Sequence, residues 1–272
     1  MSGTGPSADS AGVPWEGRTF EPTAFGGDDG SAPEVLAQAL AAFRRGECDQ
    51  AAVVGALRTS RLLIPLVAAL GGSTADHDGL AAAGADDAHV DTLGDKSADL
   101  SIVTVAGPDG RAVMPVFSSV QSMAAWNRDA RPVPVDAVRV ALAAASENTD
   151  LVVLDPTAPT EFAVRRPALW AIAQGARWVP GRDVAEVLAA FAASVSGEDA
   201  VLGLDLADGD PAARLAGPEV IVRLTLADGL DDGSLDALMH RLGQRWSTSE
   251  AIALSVDSLA VRLDRADRPG LS

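Results

Sequence analysis

Apolar residues along the chain fall into short runs of two different periods, and the switching between them predicts alternating helices and strands. From Glu34 onward, Val35, Leu36, Ala39, Leu40 and Phe43 recur at helical spacing. Asp28, Asp29 and Ser31 precede them as potential caps, and Pro33 suits the first helical position. A second short helix is expected over residues 49–57, with Asp49 as its cap. Arg61-Leu-Leu-Ile-Pro-Leu-Val reads as a strand, in which Pro65 marks an edge, an end or a bulge because it cannot donate to a ladder. Strands near 100–105 and 111–117 are joined by Gly107-Pro-Asp-Gly110, a turn with permissive glycine at both ends.

A helix starts directly after the second of these strands. Ser118 or Ser119 caps it, Ser118 with Gln121 fits a capping box, and Met123 and Trp126 share one face. A helix over 136–146 opens at Asp136, and Leu151-Val-Val-Leu154 is a fully apolar strand. A short strand near 161–164 and a helix over 167–174 follow, with Pro167 in the first turn. The pattern then breaks between Gly175 and Gly181. Beyond it come a helix over 183–195, strands at 200–207 and 219–226, and a turn at Asp228–Gly233. An amphipathic helix carrying Leu235, Leu238, Met239 and Leu242 precedes two last strands, at 252–256 and 259–263.

This order predicts an α/β (α+β) fold, a mixed β-sheet flanked by helices and followed by a smaller α+β domain. Residues 1–12 lack periodicity and read as a disordered tail. Residues 13–178 form the expected first domain. It is entered by an arm at 13–32 that docks through Trp15, Phe20 and Phe25, and it is interrupted by a long acidic, Gly/Ala-rich loop at 71–98. Residues 179–272 form the second domain. No internal repeat is present.

Composition narrows the function classes. Apolar residues make up 47% of the 272, enough for a large core, but aromatic residues only 4%, so Ala, Val and Leu supply the packing. A net charge of −17 opposes binding to a nucleic-acid backbone or an anionic membrane surface. No segment is apolar for long enough to span a bilayer, and the N-terminus lacks the basic start and apolar core of a signal peptide. Cys48 is the single cysteine, which excludes an intramolecular disulfide and fits a reducing cytoplasm.

The catalytic inventory is thin. Asp76, His77, Asp78, Asp86, Asp87, His89, Asp91 and Asp95 are metal-ligand types, but they lie in a loop with no scaffold to fix them, and no metal is expected. Asp228–Gly233 opens like a calcium loop, yet the ligand positions that should follow hold Leu230 and Met239, so it reads as a capping turn. The histidines are His77, His89 and His240, and neither a nucleophile elbow nor a phosphate loop occurs. Cys48 has no assigned base. No catalytic residue and no cofactor are therefore expected. Phe117, Ser118 and Ser119 remain as candidates for a ligand or partner site, because they put backbone N–H groups and hydroxyls at a helix N-terminus, a geometry that favours anions. Arg165 and Arg166 are placed to face them. The densest basic group, Arg44, Arg45, Arg58 and Arg61, is too small for nucleic acid and balances local acids. Trp126, Trp170 and Trp178 read as core or interface residues; exposure of one of them would instead mark a partner surface.

Residues 15–30, Trp-Glu-Gly-Arg-Thr-Phe-Glu-Pro-Thr-Ala-Phe-Gly-Gly-Asp-Asp-Gly, resemble the entry segment of actinobacterial members of the SseB family. Arg61-Leu-Leu-Ile-Pro-Leu, Arg111-Ala-Val-Met-Pro-Val-Phe-Ser-Ser-Val, and Ala125-Trp126 followed by Leu154-Asp155-Pro156 are similar too. Where relatives carry Asn before that proline, this chain has Asp155. The resemblance implies an N-terminal and a C-terminal SseB domain and a link to enhanced serine sensitivity, an architecture rather than a reaction.

The expected function is thus a non-enzymatic, cytoplasmic binding or regulatory protein. Its protein or small-molecule partner would sit at the domain junction or near Phe117–Trp126, with Phe117, Ser118, Ser119, Trp126, Asp155, Arg165 and Arg166 as the site. The alternatives are an enzyme acting on an amino-acid or sulfur metabolite through Asp155, Ser118 and Ser119, and a structural subunit of a larger assembly.

Overall fold

The computed structural model describes residues 25–68, 100–147, 149 and 151–265. The tail at 1–12, most of the arm with Trp15 and Phe20, and the acidic loop at 71–98 lie outside the described residues. Helices α1 (Glu34–Arg44) and α2 (Gln50–Arg58) form a pair whose inner faces bury Leu36 and Leu40 on one, and Val53, Val54 and Leu57 on the other. The Asp49 carboxylate caps α2 by accepting from the Ala52 N–H. Asp28 and Asp29 do not cap α1. They close turns on themselves instead, accepting from the Gly30 and Ser31 N–H groups two residues on, and Pro33 takes the cap position rather than the first helical one.

Strand β1 (Arg61–Ala68) runs antiparallel between β2 (Leu100–Ile102) and β5 (Arg131–Asp136). The β5 strand escapes sequence reading because Pro132 and Pro134 break its run, and both lie on an edge strand, where a missing N–H costs no ladder bond. On its other flank β1 makes one bridge, Leu63 to Phe117, and then pairs with β2 from Leu66 onward. Pro65 sits in the gap between these partners, so the expected edge, end or bulge is a change of neighbour along a central strand.

The second sheet has the order β3 (Val105–Ala106), β4 (Ala112–Val116), β6 (Leu151–Leu154), β7 (Phe162–Arg165), with β4 and β6 parallel. The single strand expected over 100–105 is thus two short strands that belong to different sheets. Helices α3 (Val120–Trp126), α4 (Ala137–Ser146) and α5 (Arg166–Ala173) complete this region. Its main core joins Leu36, Leu57, Leu62, Met114, Leu154 and Phe162.

A 3-10 turn at Gly181–Asp183 leads to α6 (Ala185–Ser194), β8 (Val201–Asp208), β9 (Val220–Leu226), α7 (Asp232–Ser247), α8 (Glu250–Ser255) and β10 (Leu259–Arg265). The sheet order is β10-β9-β8. Strands β9 and β10 are parallel, so the chain must cross back between them, and α7 with α8 makes that crossover. The strand expected over 252–256 is therefore wrong: the segment enters α8, and its buried residues Ile252 and Val256 are spaced by one helical turn. Helices cover the sheet face that carries Val220, Val222, Leu224 and Leu226, and these residues form a core with Phe191, Leu242 and Trp246. The whole is a mixed α/β architecture of sheets flanked by helices, as the hydrophobic pattern predicts. Among the described residues no helix is long and apolar enough to cross a membrane.

Candidate functional site

Two polar knots account for most of the residues singled out in the sequence. The first is built on Asp155, which directly follows β6, is fully buried and has a left-handed backbone (φ 47°). Asp tolerates that conformation better than most residues. Its backbone N–H donates to the Val116 carbonyl, which prolongs the β4–β6 pairing by one bond. Its carboxylate accepts from the Ser118 N–H at 2.8 Å and the Ser118 hydroxyl at 2.7 Å. The Ser122 hydroxyl lies 2.7 Å away and the Thr160 hydroxyl 3.0 Å away. The carboxylate is saturated by the chain itself.

The same arrangement uses up the N-terminus of α3. Ser119, not Ser118, is its cap, and it forms the box with Ser122 rather than with Gln121. The Ser119 N–H donates to the Ser122 hydroxyl and the Val120 N–H to the Gly30 carbonyl. The donors expected to attract an external anion thus meet an internal one, Asp155, and the 28–31 loop. Arg61 ties this loop down by pairing with Asp28 at 2.6 Å and donating to the Ser118 carbonyl. Phe117 is fully buried with Leu63 and Met123, and its ring centroid lies 5.3 Å from that of the half-buried Trp126.

The second knot holds the C-terminal elements to the N-terminal ones. The Arg165 guanidinium donates to Asp210 at 2.7 Å, Asp257 at 3.1 Å, the Ser258 hydroxyl and the Gly217 carbonyl. Arg111 grips the same Asp257 with two parallel bonds of 3.0 Å. Burial pulls the Asp257 carboxyl upward, but the bonds and charges of Arg111 and Arg165 outweigh it and hold the group below its ordinary value. Neighbouring Glu219 moves the other way. Burial pushes it up, although its Oε2 accepts from the Asp257 N–H, and its Oε1 is buried with no hydrogen-bond partner among the described residues. Asp210 also accepts from the Leu215 N–H, so the β8–β9 loop is shaped around it. That loop lends Ala213 to the main core and Leu215 to the smaller cluster with Val113 and Leu151.

Arg166 crosses the same boundary at the surface. It donates to the Ala253 and Val256 carbonyls at the end of α8, and its guanidinium lies 5.1 Å from the centroid of the Trp170 ring. Trp170 is 41% exposed, and Leu254 beside Ala253 is 49% exposed. The partners of Arg165 and Arg166 therefore lie on the C-terminal elements, and the structure does not bring these arginines to Ser118 and Ser119. Sequence reading missed Arg111, Asp210, Glu219 and Asp257, whose partners are up to 146 residues apart and follow no local spacing.

The remaining candidates within the described residues have ordinary surroundings, while the acidic residues of the 76–95 loop lie outside them. Among the described residues no group of three or more His, Cys, Asp or Glu side chains is placed to hold a metal. Asp231 caps α7 through the Ser234 N–H, which makes the 228–233 segment the expected capping turn. His240 is exposed on α7 beside Gln244. Burial, with help from Asp49, pushes the Cys48 thiol up and away from reactivity.

The model of the SseB protein N-terminal domain matches residues 36–171, half of the chain. That span runs from α1 into α5 and contains the Asp155 knot together with Arg165 and Arg166. No curated protein and no solved structure matches the chain. With half its length matched by that model, the chain belongs to the SseB family.

Proposed function

We propose that this protein is a cytoplasmic, non-catalytic binding or regulatory member of the family, with the actinobacterial arrangement in which residues 179–272 form a C-terminal SseB-type domain. Its partner is a protein, and the contact surface is the boundary where α5 meets α8. The observation that carries this reading is Trp170, a large aromatic left 41% exposed with Arg166 stacked on it and Leu254 nearby. Tryptophan and arginine are the side chains that most often dominate protein interfaces. The Arg165 knot beneath fixes α5 against the C-terminal elements, so the surface is preorganised and little ordering cost remains for binding. A role in serine sensitivity would act through that partner.

The enzyme alternative needs Asp155 within reach of a substrate. That carboxylate is fully buried and its oxygens are taken. The test is affinity capture of the tagged full chain from cytosol, in parallel with Trp170→Ala. A stoichiometric protein held by the parent and lost from the variant supports the proposal; capture that ignores the substitution, or no protein at all, overturns it.

A further inference from the structure

At the α5–α8 boundary one peptide group joins a buried carboxyl to the exposed surface. The Val256–Asp257 peptide donates its N–H to Glu219 Oε2 at 2.6 Å, and its C=O accepts from the Arg166 guanidinium at 3.2 Å. Arg166 also donates to the Ala253 carbonyl at 3.1 Å and stacks on Trp170. A single rigid plane therefore stands between Glu219 and the cation that lies on the exposed ring.

Glu219 cannot withdraw from this contact with its backbone. Its N–H donates to the Ser258 hydroxyl, and its C=O accepts from the Gly209 N–H. The residue is 6% exposed, and its Oε1 has no hydrogen-bond partner among the described residues. Two charged side chains face it. Asp257, from the segment before β10, opposes its ionisation, and Arg165, from β7, favours it. From the 3-10 turn the Gly181 N–H favours the charge too, while Arg182 of that turn pairs with Asp208. Arg165 is committed to Asp210 and Asp257, and Arg111 to Asp109 and Asp257. Two guanidiniums thus serve three aspartates, and among the described residues none forms an ion pair with Glu219. A buried carboxyl with an open oxygen and no cation of its own takes up a proton more readily than one in water. Burial is the largest influence on Glu219 and acts in that direction.

Protonation would remove the negative charge from the acceptor of the Asp257 N–H. A hydrogen bond to an ionised acceptor is roughly twice as strong as a neutral one, and it polarises the peptide so that the Val256 carbonyl holds Arg166 more firmly. We propose that Glu219 makes the Trp170 surface proton-sensitive: ionised, it fixes the Val256–Asp257 peptide that seats Arg166 on Trp170, and protonated, it loosens that seat. That this coupling regulates partner binding rests on the reading of Trp170 given above; the coupling itself does not.

The test follows the Trp170 indole N–H in nuclear magnetic resonance spectra of the full chain labelled with ¹⁵N-tryptophan, the signal being identified by its loss in Trp170→Phe. Between about pH 8 and about pH 5 the signal should move in one step whose midpoint lies above the ordinary glutamate value of 4.5. Glu219→Gln, which keeps an oxygen for the Asp257 N–H but not the charge, should abolish the step and leave the signal near its acid position. Arg166→Gln, at a half-buried position with Glu219 intact, should abolish it too. A Trp170 signal that does not move in the parent overturns the proposal, and so does a step retained in either folded variant. No partner enters this experiment, so a flat signal defeats the coupling alone, and failure to capture a protein defeats the partner reading alone.

Discussion

Replacing Asp155 by Ala removes the acceptor around which β6, α3 and the 157–161 turn are organised. The Ser118 N–H loses its partner at a position that is 5% exposed, and an unsatisfied buried N–H costs about 1–3 kcal/mol. The Ser118 and Thr160 hydroxyls lose charge-assisted bonds, but they can rotate toward other acceptors, which limits their share. The left-handed backbone at φ 47° adds a penalty of up to about 1–2 kcal/mol for alanine. Together these give an expected loss of about 3–5 kcal/mol, read as a lower urea midpoint at unchanged slope. Asp155→Asn is the internal control. Asparagine tolerates the backbone, keeps one oxygen for the Ser118 N–H, and offers its NH₂ to hydroxyls that can turn to accept. It should cost only about 1–2 kcal/mol. An alanine variant within about 0.5 kcal/mol of the parent, or an asparagine variant as damaged as alanine, would refute the assignment of Asp155 as a structural hub.

Further outcomes follow from the same geometry. Phe117→Ala should destabilise the protein by about 3–5 kcal/mol in denaturant unfolding, because the fully buried ring leaves a cavity against Leu63 and Met123. Arg165→Met should cost about 3–5 kcal/mol by the same assay, since Asp210 and Asp257, each with a side chain 2% exposed, lose a cationic partner. Glu219 binds its proton more tightly folded than unfolded. Its contribution therefore falls as pH rises from the ordinary glutamate value of 4.5 toward the raised folded one. Glu219→Gln should flatten that part of the stability-against-pH curve; a curve identical to the parent's would contradict the assignment.

How far the sequence foretold this molecule depends on the range of the interactions involved. The helix pair, the apolar β6 strand and the α3 start were legible because hydrophobic period and capping chemistry are local. The strand β5 was hidden by Pro132 and Pro134, which are tolerated only because its outer edge is unpaired. Helix α8 was misread as a strand because the four-residue apolar run Ala251–Leu254 carries no decisive period, and the parallel pairing of β9 with β10 decided the matter. Asp155, Ser118 and Ser119 were singled out as candidates for a ligand or partner site. Asp155 pairs with Ser118 and Ser119 with Ser122, and the helix terminus that invites an external anion is closed by the chain's own carboxylate. Arg165 and Arg166 were noticed as a pair, but which elements they join is tertiary information, carried by Asp210 and Asp257.

The central claim is that the α5–α8 boundary binds a protein through Trp170. The most direct measurement is quantitative affinity capture of the full chain, the Trp170→Ala variant and the Arg166→Gln variant from the same cytosol, with thermal melts to establish that all three are folded. The account predicts one protein recovered in stoichiometric amount with the parent, reduced at least about tenfold by Trp170→Ala, as expected for an interface hot spot, and reduced by Arg166→Gln. Equal recovery by all three folded proteins, or no protein recovered with the parent, would contradict it.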